Sequence, residues 1–194
     1  IIIIGSQGML GQELAMAFHN EKPLLWDRQE IDVTNKGQVQ QKIEEIRPDL
    51  VINAAAYNDV DGAEKNEALA NEINGLAVGY LAKTICASGG ILVHYSTDYV
   101  FKGDKKEGYL ESDQPDPQSA YARSKYLGEK ALQKNTNSFY LIRLSRLFGK
   151  PAQSRMAKKS FVEVMLELAK IKKELDKIEK KEEKEDDDED EDDD

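Results

Sequence analysis

The chain has 194 residues, enough for one sizeable domain or for one domain with an appended segment. Its formal charge of −10 belongs to its C-terminus, because residues 176–194 carry 14 acidic and 4 basic side chains and residues 1–175 balance. A neutral body argues against nucleic acid as a partner. The single cysteine, Cys86, cannot form an internal disulfide, and neither a signal peptide nor an apolar run of about 18 residues is visible. We therefore expect a cytoplasmic protein without a membrane span.

The first strand and the turn after it are typical of nucleotide-binding proteins. Residues 1–4 are all isoleucine and predict a strand buried on both faces. They are followed by Gly5-Ser6-Gln7-Gly8-Met9-Leu10-Gly11 and by a predicted helix over residues 12–19. Glycine permits a tight turn and lets the backbone approach a pyrophosphate at the helix N-terminus. A strand, Gly-x-x-Gly-x-x-Gly and a helix in this order favour nucleotide binding over an ordinary glycine-rich turn.

The second predicted strand, residues 23–26, leads to two residues that bear on the choice of cofactor. Asp27 lies near the spacing from the glycine turn at which an acidic residue receives a ribose 2′-hydroxyl. The adjacent Arg28 is suited instead to a 2′-phosphate, so NADH and NADPH both remain open. Asp32 and Val33 close this segment and are candidates to flank the adenine.

The next predicted helix is bounded by Thr34, a plausible N-cap, and by Pro48, which stops it. The third strand begins at residue 49 and runs into three small residues, Ala54, Ala55 and Ala56. Small side chains at a strand end either admit a ligand close to the backbone or pack tightly against a helix, and the pattern does not choose between these.

A polar loop is expected over residues 57–66, and a long helix over residues 67–88 that ends at a glycine pair. Within that helix, Asn74 carries an amide that either supports a proton relay or pairs with the backbone. Cys86 on the same helix is interpreted as a core residue, because no histidine partner for a nucleophile is evident.

The fourth strand, residues 91–95, delivers Ser96, Thr97 and Asp98 at its carboxyl end, where ligands bind in open parallel sheets. Residues 99–118 are loop-like, and a loop of this length is typical of a functional or a disordered segment; a substrate-side flap is one interpretation. A helix to about residue 134 and a fifth strand over residues 139–144 complete the pattern. Strands and helices that alternate at these lengths predict an α/β fold, a Rossmann-like doubly wound parallel sheet.

Tyr121 and Lys125 are the central candidates for chemistry, since residues four apart share one face of a helix. A free phenol has a pKa of about 10, and a nearby ammonium favours phenolate and lowers that pKa toward a range useful for acid–base catalysis. The Thr97 hydroxyl is placed to hydrogen-bond the oxygen on which the phenol acts. Alone, Tyr-x-x-x-Lys is a weak signal, and its meaning depends on the nucleotide-binding pattern that precedes it.

Several motifs together resemble dTDP-4-dehydrorhamnose reductases, a group of extended short-chain dehydrogenases/reductases. The resemblance covers roughly residues 1–170 and is carried by Gly5–Gly11, Asn53-Ala54-Ala55-Ala56-Tyr57, Val60-Asp61, His94-Tyr95-Ser96-Thr97-Asp98-Tyr99-Val100-Phe101, Tyr121-x-x-x-Lys125 and Gly128-Glu129. It implies reduction of the 4-keto group of dTDP-4-dehydro-L-rhamnose by NADPH or NADH in dTDP-L-rhamnose biosynthesis.

The resemblance also implies a role for each matching residue. Tyr121 would donate the proton, Lys125 would hold the ribose and lower the pKa of Tyr121, and Thr97 would orient the keto oxygen. Residues that would contact the dinucleotide are Gly5, Gly8, Met9, Leu10 and Gly11 at the pyrophosphate, with Asp32, Val33, Ala54, Ala55 and Ala56 along its length. Asp27, Arg28 and Asn74 stay in the candidate cofactor set, and a nucleotide sugar and a second copy of the chain are the expected partners.

Three departures from the family leave other readings open. Ala122 stands where glycine usually follows the tyrosine, and Ser145-Arg146 stands where Ser-Trp is usual, which removes an aromatic side chain near the sugar. The family also continues through a substrate-binding part that is replaced here by a charged segment. Arg146 and the replaced substrate-binding part favour a non-catalytic regulatory module, similar to the β-subunit of methionine adenosyltransferase, while the intact Thr97, Tyr121 and Lys125 set favours an enzyme. Another sugar-nucleotide reductase or epimerase is the third reading.

The sequence predicts three regions, two of them in the C-terminal segment. We expect a cofactor-binding domain over residues 1–158, an amphipathic to charged helix over 159–184 and a disordered acidic tail over 185–194. Apolar residues at heptad spacing favour a single amphipathic helix over an oligomerising seam, because the repeat is short for a coiled coil. No metal site is expected, since the two histidines, His19 and His94, lack ligand spacing.

Overall fold

A computed structural model describes residues 1–153 and 161–189. The chain divides into two compact units on either side of the gap between these ranges, and each unit is described by itself.

The first unit is built on a five-stranded parallel sheet. Its strands are β1 (Ile2–Ile4), β2 (Leu24–Trp26), β3 (Leu50–Asn53), β4 (Ile91–Thr97) and β5 (Phe139–Leu144). Their order across the sheet is β2-β1-β3-β4-β5, and every neighbouring pair is parallel. This doubly wound arrangement confirms the predicted Rossmann-like fold. The strand order reverses between β1 and β3, so the carboxyl ends of these strands form the crevice in which such sheets bind ligands.

Helices connect successive strands. They are α1 (Met9–Ala17), α2 (Lys36–Ile46), α3 (Val60–Lys65), α4 (Glu67–Asn71), α5 (Ala77–Ser88) and α6 (Ala120–Asn135). A π-helical turn, Glu72–Leu76, joins α4 to α5, so the predicted long helix is one continuous run with a wider turn inside it. Single π turns inside helices are frequent at functional sites.

The larger cluster of core residues lies on one face of the sheet, and Ile3 and Ile52 are buried on the other face. Alternate residues of the strands point to the face of the larger cluster, as the register of Ile2, Val51 and Leu92 shows. Side chains of α2, α5 and α6, among them Ile43 and Leu132, pack against them and are fully buried. This packing fixes α6 over β4, and α6 carries the residues of the candidate site.

The structure corrects the N-cap expected of the second helix. Asn35, not Thr34, is the N-cap of α2, because its side chain accepts the Gln38 amide hydrogen at 3.0 Å. Thr34 is occupied elsewhere, since its hydroxyl donates to the Asp32 carboxylate at 2.7 Å.

Two further expectations need correction. The polar stretch over residues 57–66 contains α3, which begins after Asp59 because that side chain accepts the Gly62 amide hydrogen. Cys86 is exposed rather than a core residue, because it lies on the face of α5 turned away from the sheet.

The described part of the second unit, residues 161–189, is the helix α7 (Phe161–Glu189). It includes residues 185–189, which were expected to belong to a disordered tail; residues 190–194 lie outside the described residues. Neither glycine nor proline interrupts this range, and glutamate and lysine favour helix, so the acidic composition does not end it. Several of its described apolar side chains are exposed, including Leu168, Ile171 and Leu175. No helix within residues 1–153 or 161–189 has the length and apolar character that crossing a bilayer requires.

Candidate functional site

The glycine turn after β1 is packed too closely for any larger residue at two positions. Gly5 has a φ of +78°, and a Cβ there would lie 2.7 Å from the Ala55 amide nitrogen. A Cβ on Gly11 would lie 2.7 Å from Ser6 Cα and would overlap the Gly5 carbonyl oxygen. The turn is fastened to β2 by the amides of Gly5 and Ser6, which both donate to the Trp26 carbonyl. Glycine is therefore required at both positions, because only glycine lets the turn lie in contact with α1, β2 and the end of β3.

Asp27 lies against this turn. Its carboxylate accepts the Gln7 amide hydrogen at 3.0 Å and the Arg28 amide hydrogen at 2.8 Å. The two residues proposed to read the ribose are therefore adjacent to the glycine turn, with the Arg28 side chain exposed. Because Asp27 is already bonded to backbone, it also acts as a brace for the turn.

Asp32 and Val33 lie in the connection between β2 and α2. The Asp32 carboxylate accepts hydrogen bonds from the amide and the hydroxyl of Thr34, which lower the pKa of Asp32 below its ordinary value. Val33 is partly buried against the core. After β2, which pairs with β1, the main chain therefore makes a short turn that the Asp32–Thr34 hydrogen bonds hold.

The end of β3 is tied to α6 through Asn74. The Asn74 amide accepts from the Tyr57 amide at 2.8 Å and donates to the Tyr57 carbonyl at 3.0 Å and to the Ser124 hydroxyl at 2.9 Å. Ser124 in turn donates to the Tyr121 carbonyl at 2.7 Å. Asn74 therefore pairs with backbone, one of the two roles considered for it. This network connects the alanine run after β3 to the helix turn that carries Tyr121.

Thr97 and Tyr121 meet at the carboxyl end of β4. The Thr97 hydroxyl donates to the Asp98 carboxylate at 3.1 Å, accepts the Tyr99 amide hydrogen at 3.2 Å and interacts with the phenol of Tyr121. The ring of Tyr99 packs edge-on against Tyr121, with 6.1 Å between ring centroids. Three elements, β4, the short 3₁₀ turn Asp98–Val100 and α6, thus converge on the phenol oxygen.

Lys125 is buried one helical turn after Tyr121, with 3% of its surface exposed. Its ammonium donates to the Tyr95 carbonyl at 2.6 Å, which anchors α6 to β4. Burial lowers the pKa of Lys125 to about 8, and the negative charge of Glu129 opposes this change. An ammonium with a pKa near 8 remains mostly charged at neutral pH.

The pKa of Tyr121 is raised, contrary to the expectation that Lys125 would lower it. Burial is the largest cause, the Thr97 hydroxyl acts in the opposite direction, and the charges of Asp98 and Tyr99 add to the increase. The phenol is therefore protonated at neutral pH. Lys125 does not lower the pKa of Tyr121, and its ammonium donates to the Tyr95 carbonyl.

Several residues around the site had no role assigned to them from the sequence, although His94, Gly128 and Glu129 lie within the motifs that carry the family resemblance. His94 on β4 is fully buried, and burial followed by the Lys125 charge holds its pKa well below the ordinary value. Glu129 accepts two hydrogen bonds from Arg143. Gly128 lets α6 approach the π-helical turn, because a Cβ there would overlap the Asn74 carbonyl oxygen. The four-residue spacing from Lys125 to Glu129 could have placed Glu129 on the site face of the helix from the sequence alone. Among the described residues, no group of three or more His, Cys, Asp or Glu side chains could hold a metal ion.

Comparison with known proteins assigns the chain to a family. The model of the RmlD substrate binding domain matches residues 1–183. A dTDP-4-dehydrorhamnose reductase of Burkholderia thailandensis is 39% identical over 178 residues, which are 90% of this chain and 57% of that protein. The enzyme of the same name from Escherichia coli strain K12 is 34% identical over 180 residues, 90% of this chain and 58% of that protein.

A solved structure shows the same likeness in three dimensions. The dTDP-4-dehydrorhamnose reductase of Bacillus anthracis, determined in complex with NADP, has 40% sequence identity and a TM-score of 0.81, and the match covers 87% of this chain and 59% of that one. The chain thus spans less than two thirds of the length of these relatives. By its sequence and its fold, this chain belongs to the RmlD substrate-binding domain family.

Proposed function

We propose that this chain takes part in the NADPH- or NADH-dependent reduction of the 4-keto group of dTDP-4-dehydro-L-rhamnose to dTDP-L-rhamnose. The observation that carries the proposal is the convergence of Thr97, Tyr121 and Lys125 at the carboxyl end of β4. The Asn74 network connects that point to the end of β3, which packs against the glycine turn. The curated relatives named above carry the same activity in their names.

The backbone around the glycine turn fits a dinucleotide. Gly5 and Gly11 leave no room for a Cβ, so the backbone of the turn lies directly against the end of β3 and the first turn of α1, whose N-terminal amides are suited to a pyrophosphate. The Bacillus anthracis relative binds NADP. We assign the pyrophosphate to Gly5, Gly8, Met9, Leu10 and Gly11, the adenosine ribose to Asp27 and Arg28, the adenine to Asp32 and Val33, and the inner length of the cofactor to Ala54, Ala55 and Ala56. Asn74 supports this set by holding Tyr57 and Ser124 in place.

The side chains of the site divide the chemistry between them. A bound nicotinamide supplies the hydride that reduces the keto carbon. The raised pKa of Tyr121 keeps its phenol protonated, as a proton donor to the keto oxygen must be. Thr97 presents a hydroxyl beside that phenol and orients the same oxygen. Lys125, whose ammonium donates to the Tyr95 carbonyl beside Thr97, would hold the ribose of the cofactor.

The proposal extends to the organisation of the protein. Residues 1–158 are assigned to cofactor binding. The relatives are longer, and we infer that the nucleotide-sugar site is completed by residues of the kind that their additional length contains. The helix α7 (Phe161–Glu189) follows, and the sequence stays acidic through residues 190–194. We place the protein in the cytoplasm, where the thiol of Cys86 stays reduced, and we include a homodimer among the arrangements to be tested.

Titration of the chain with NADPH and NADH, followed by fluorescence or calorimetry, tests cofactor binding. Turnover of dTDP-4-dehydro-L-rhamnose then separates an enzyme from a regulatory module, because a module would bind cofactor without turnover. The Tyr121→Phe variant should lose reductase activity and keep its affinity for NADPH within about threefold, because the phenol oxygen acts in proton transfer. Failure of both cofactors to bind at millimolar concentration would overturn the proposal, and equal turnover by Tyr121→Phe would remove Tyr121 from the mechanism.

A further inference from the structure

A buried ion pair lies one helical turn beyond Lys125. The Glu129 carboxylate has 1% of its surface exposed, and both of its oxygens accept from Arg143 on β5, from Nε at 2.9 Å and from Nη2 at 2.7 Å. Residues four apart on a helix share a face, so Glu129 and Lys125 point the same way. Removing two charges from water costs free energy that an ordinary apolar pair would not, so a buried pair is weak evidence for stability alone.

Arg143 makes further contacts with the segment that follows Thr97. Its guanidinium lies 4.9 Å from the centre of the Phe101 ring, and its Nη1 donates to the Glu111 carbonyl at 3.2 Å. The Phe101 ring stacks on Tyr109, with centroids 4.4 Å apart. The arginine therefore joins β5, α6 and the connection between β4 and α6.

Lys125 is faced by few charged or titratable groups. From β4 it is faced by His94, which is neutral because burial lowers its pKa. From its own helix it is faced by Tyr121, which is protonated, and by Glu129. Arg143 on β5 is paired with Glu129. Of these four groups, Glu129 alone carries a negative charge at neutral pH.

We propose that Glu129 and Arg143 form a positioning pair for Lys125, in which the carboxylate sustains the charge of the buried ammonium and the guanidinium limits how strongly that carboxylate acts. This inference rests on the proposed function in one respect, the role of Lys125 in cofactor binding. It predicts effects of opposite sign from the two partners. Without the carboxylate, the negative charge beside Lys125 is lost and the Arg143 guanidinium beyond it is left unpaired, so Lys125 loses its proton more readily. Without the guanidinium, the full negative charge of Glu129 acts on Lys125.

The test follows the ionisation of Lys125 directly in the full chain. Lysine labelled with ¹³C at Cε reports the charge of each ammonium by NMR, and the signal of Lys125 is identified by its loss in Lys125→Met. In Glu129→Gln we expect the midpoint of the Lys125 titration to fall by about one pH unit, and in Arg143→Met we expect it to rise by about half a unit. Glu67→Gln is the matched control, because Glu67 forms an exposed pair with Arg123 on the same helix, and it should leave the midpoint unchanged.

A purely structural pair would give a different result. Loss of either partner would then loosen the site and admit water to Lys125, so both midpoints would rise together, or neither would move; each of these results would overturn the proposal. If circular dichroism shows that Glu129→Gln does not fold, the variant in which both residues are replaced, E129Q with R143M, avoids an unpaired charge, and its midpoint should still fall.

The functional consequence is measured separately. NADPH affinity across pH 6–10 should weaken at lower pH in Glu129→Gln than in the wild-type chain, since the ribose contact needs a charged ammonium. If NADPH binds to none of the variants and not to the wild-type chain, the proposed function fails, while the NMR titration still decides whether the pair acts on Lys125.

Discussion

Replacing Gly11 by alanine tests whether the close packing of the glycine turn shapes the cofactor site. The added methyl group would lie 2.7 Å from Ser6 Cα and 2.8 Å from the Gly5 carbonyl carbon, and ordinary contact begins near 3.4 Å. These neighbours are backbone atoms, which cannot turn aside as a flexible side chain can. The first turn of α1 must therefore move away from the turn by more than half an ångström.

The magnitude follows from two opposing terms. Alanine favours a helix over glycine by about 1 kcal/mol. Overpacking against fixed atoms costs about 1–3 kcal/mol and occasionally more, and here the whole helix end must shift. We expect a net loss of about 1–2 kcal/mol in the free energy of unfolding. Displaced amides at the N-terminus of α1 also lose hydrogen bonds to a charged pyrophosphate, worth about 1.5–3 kcal/mol each, which corresponds to a tenfold to hundredfold weaker affinity for NADPH.

Urea denaturation and NADPH titration measure the two effects. With a slope of about 2 kcal/mol per molar urea, the midpoint should fall by about 0.5–1 M. Gly37→Ala is the matched control, because Gly37 lies in the first turn of α2 and its Cβ would meet one side-chain atom at 3.5 Å. That variant should be as stable as the wild-type chain or more so and should bind NADPH normally. A Gly11→Ala variant that matches this control in both assays would refute the argument from packing.

Two further variants test the site from other directions. Lys125→Met should raise the free energy of unfolding at pH 7 by about 2 kcal/mol. The native pKa of about 8, against an ordinary lysine value of 10.5, corresponds to a burial cost of about 3 kcal/mol, and loss of the bond to the Tyr95 carbonyl offsets part of the gain. Between pH 8 and 10.5, Lys125 keeps its proton in the unfolded chain and has lost it in the folded chain. Wild-type stability should therefore rise relative to the variant across this range. A stability difference between the two chains that does not change with pH would contradict the assignment. Gly128→Ala should lower the free energy of unfolding by about 1–3 kcal/mol, since its methyl group would overlap the Asn74 carbonyl oxygen. Gly79→Ala is the control, because its methyl group would lie 3.3 Å from its nearest neighbour, and it should change the free energy by less than about 1 kcal/mol. Equal stability of the two variants would refute the close contact at Gly128.

The strands and the glycine turn could be predicted because their signals are local. The isoleucine run gives β1, and residues 139–144 are β5 with the expected bounds. Tyr121 and Lys125 were placed on one helix from their spacing, and Thr97 at the end of β4 from the strand that precedes it. In each case, the residues that specify the element lie within it, so periodicity and turn chemistry suffice.

The boundaries of helices were less accessible, because they depend on competition between neighbouring side chains. Thr34 and Asn35 are both good N-caps, and the choice fell to Asn35 because Asp32 takes the hydroxyl of Thr34. The helix α3 was missed because its residues are polar, and because its cap, Asp59, has the composition of a loop.

By itself, the sequence determined the α/β class, the order of strands and helices, and the residue types that a reductase site requires. The tertiary structure decided what those residues are chemically: burial raises the pKa of Tyr121 and lowers that of Lys125, and Arg143, fourteen residues after Glu129, completes the ion pair beside them. The division has one physical reason. Strand and turn propensities act between neighbours in the chain, whereas desolvation and buried charge pairs depend on segments that only the folded sheet brings together.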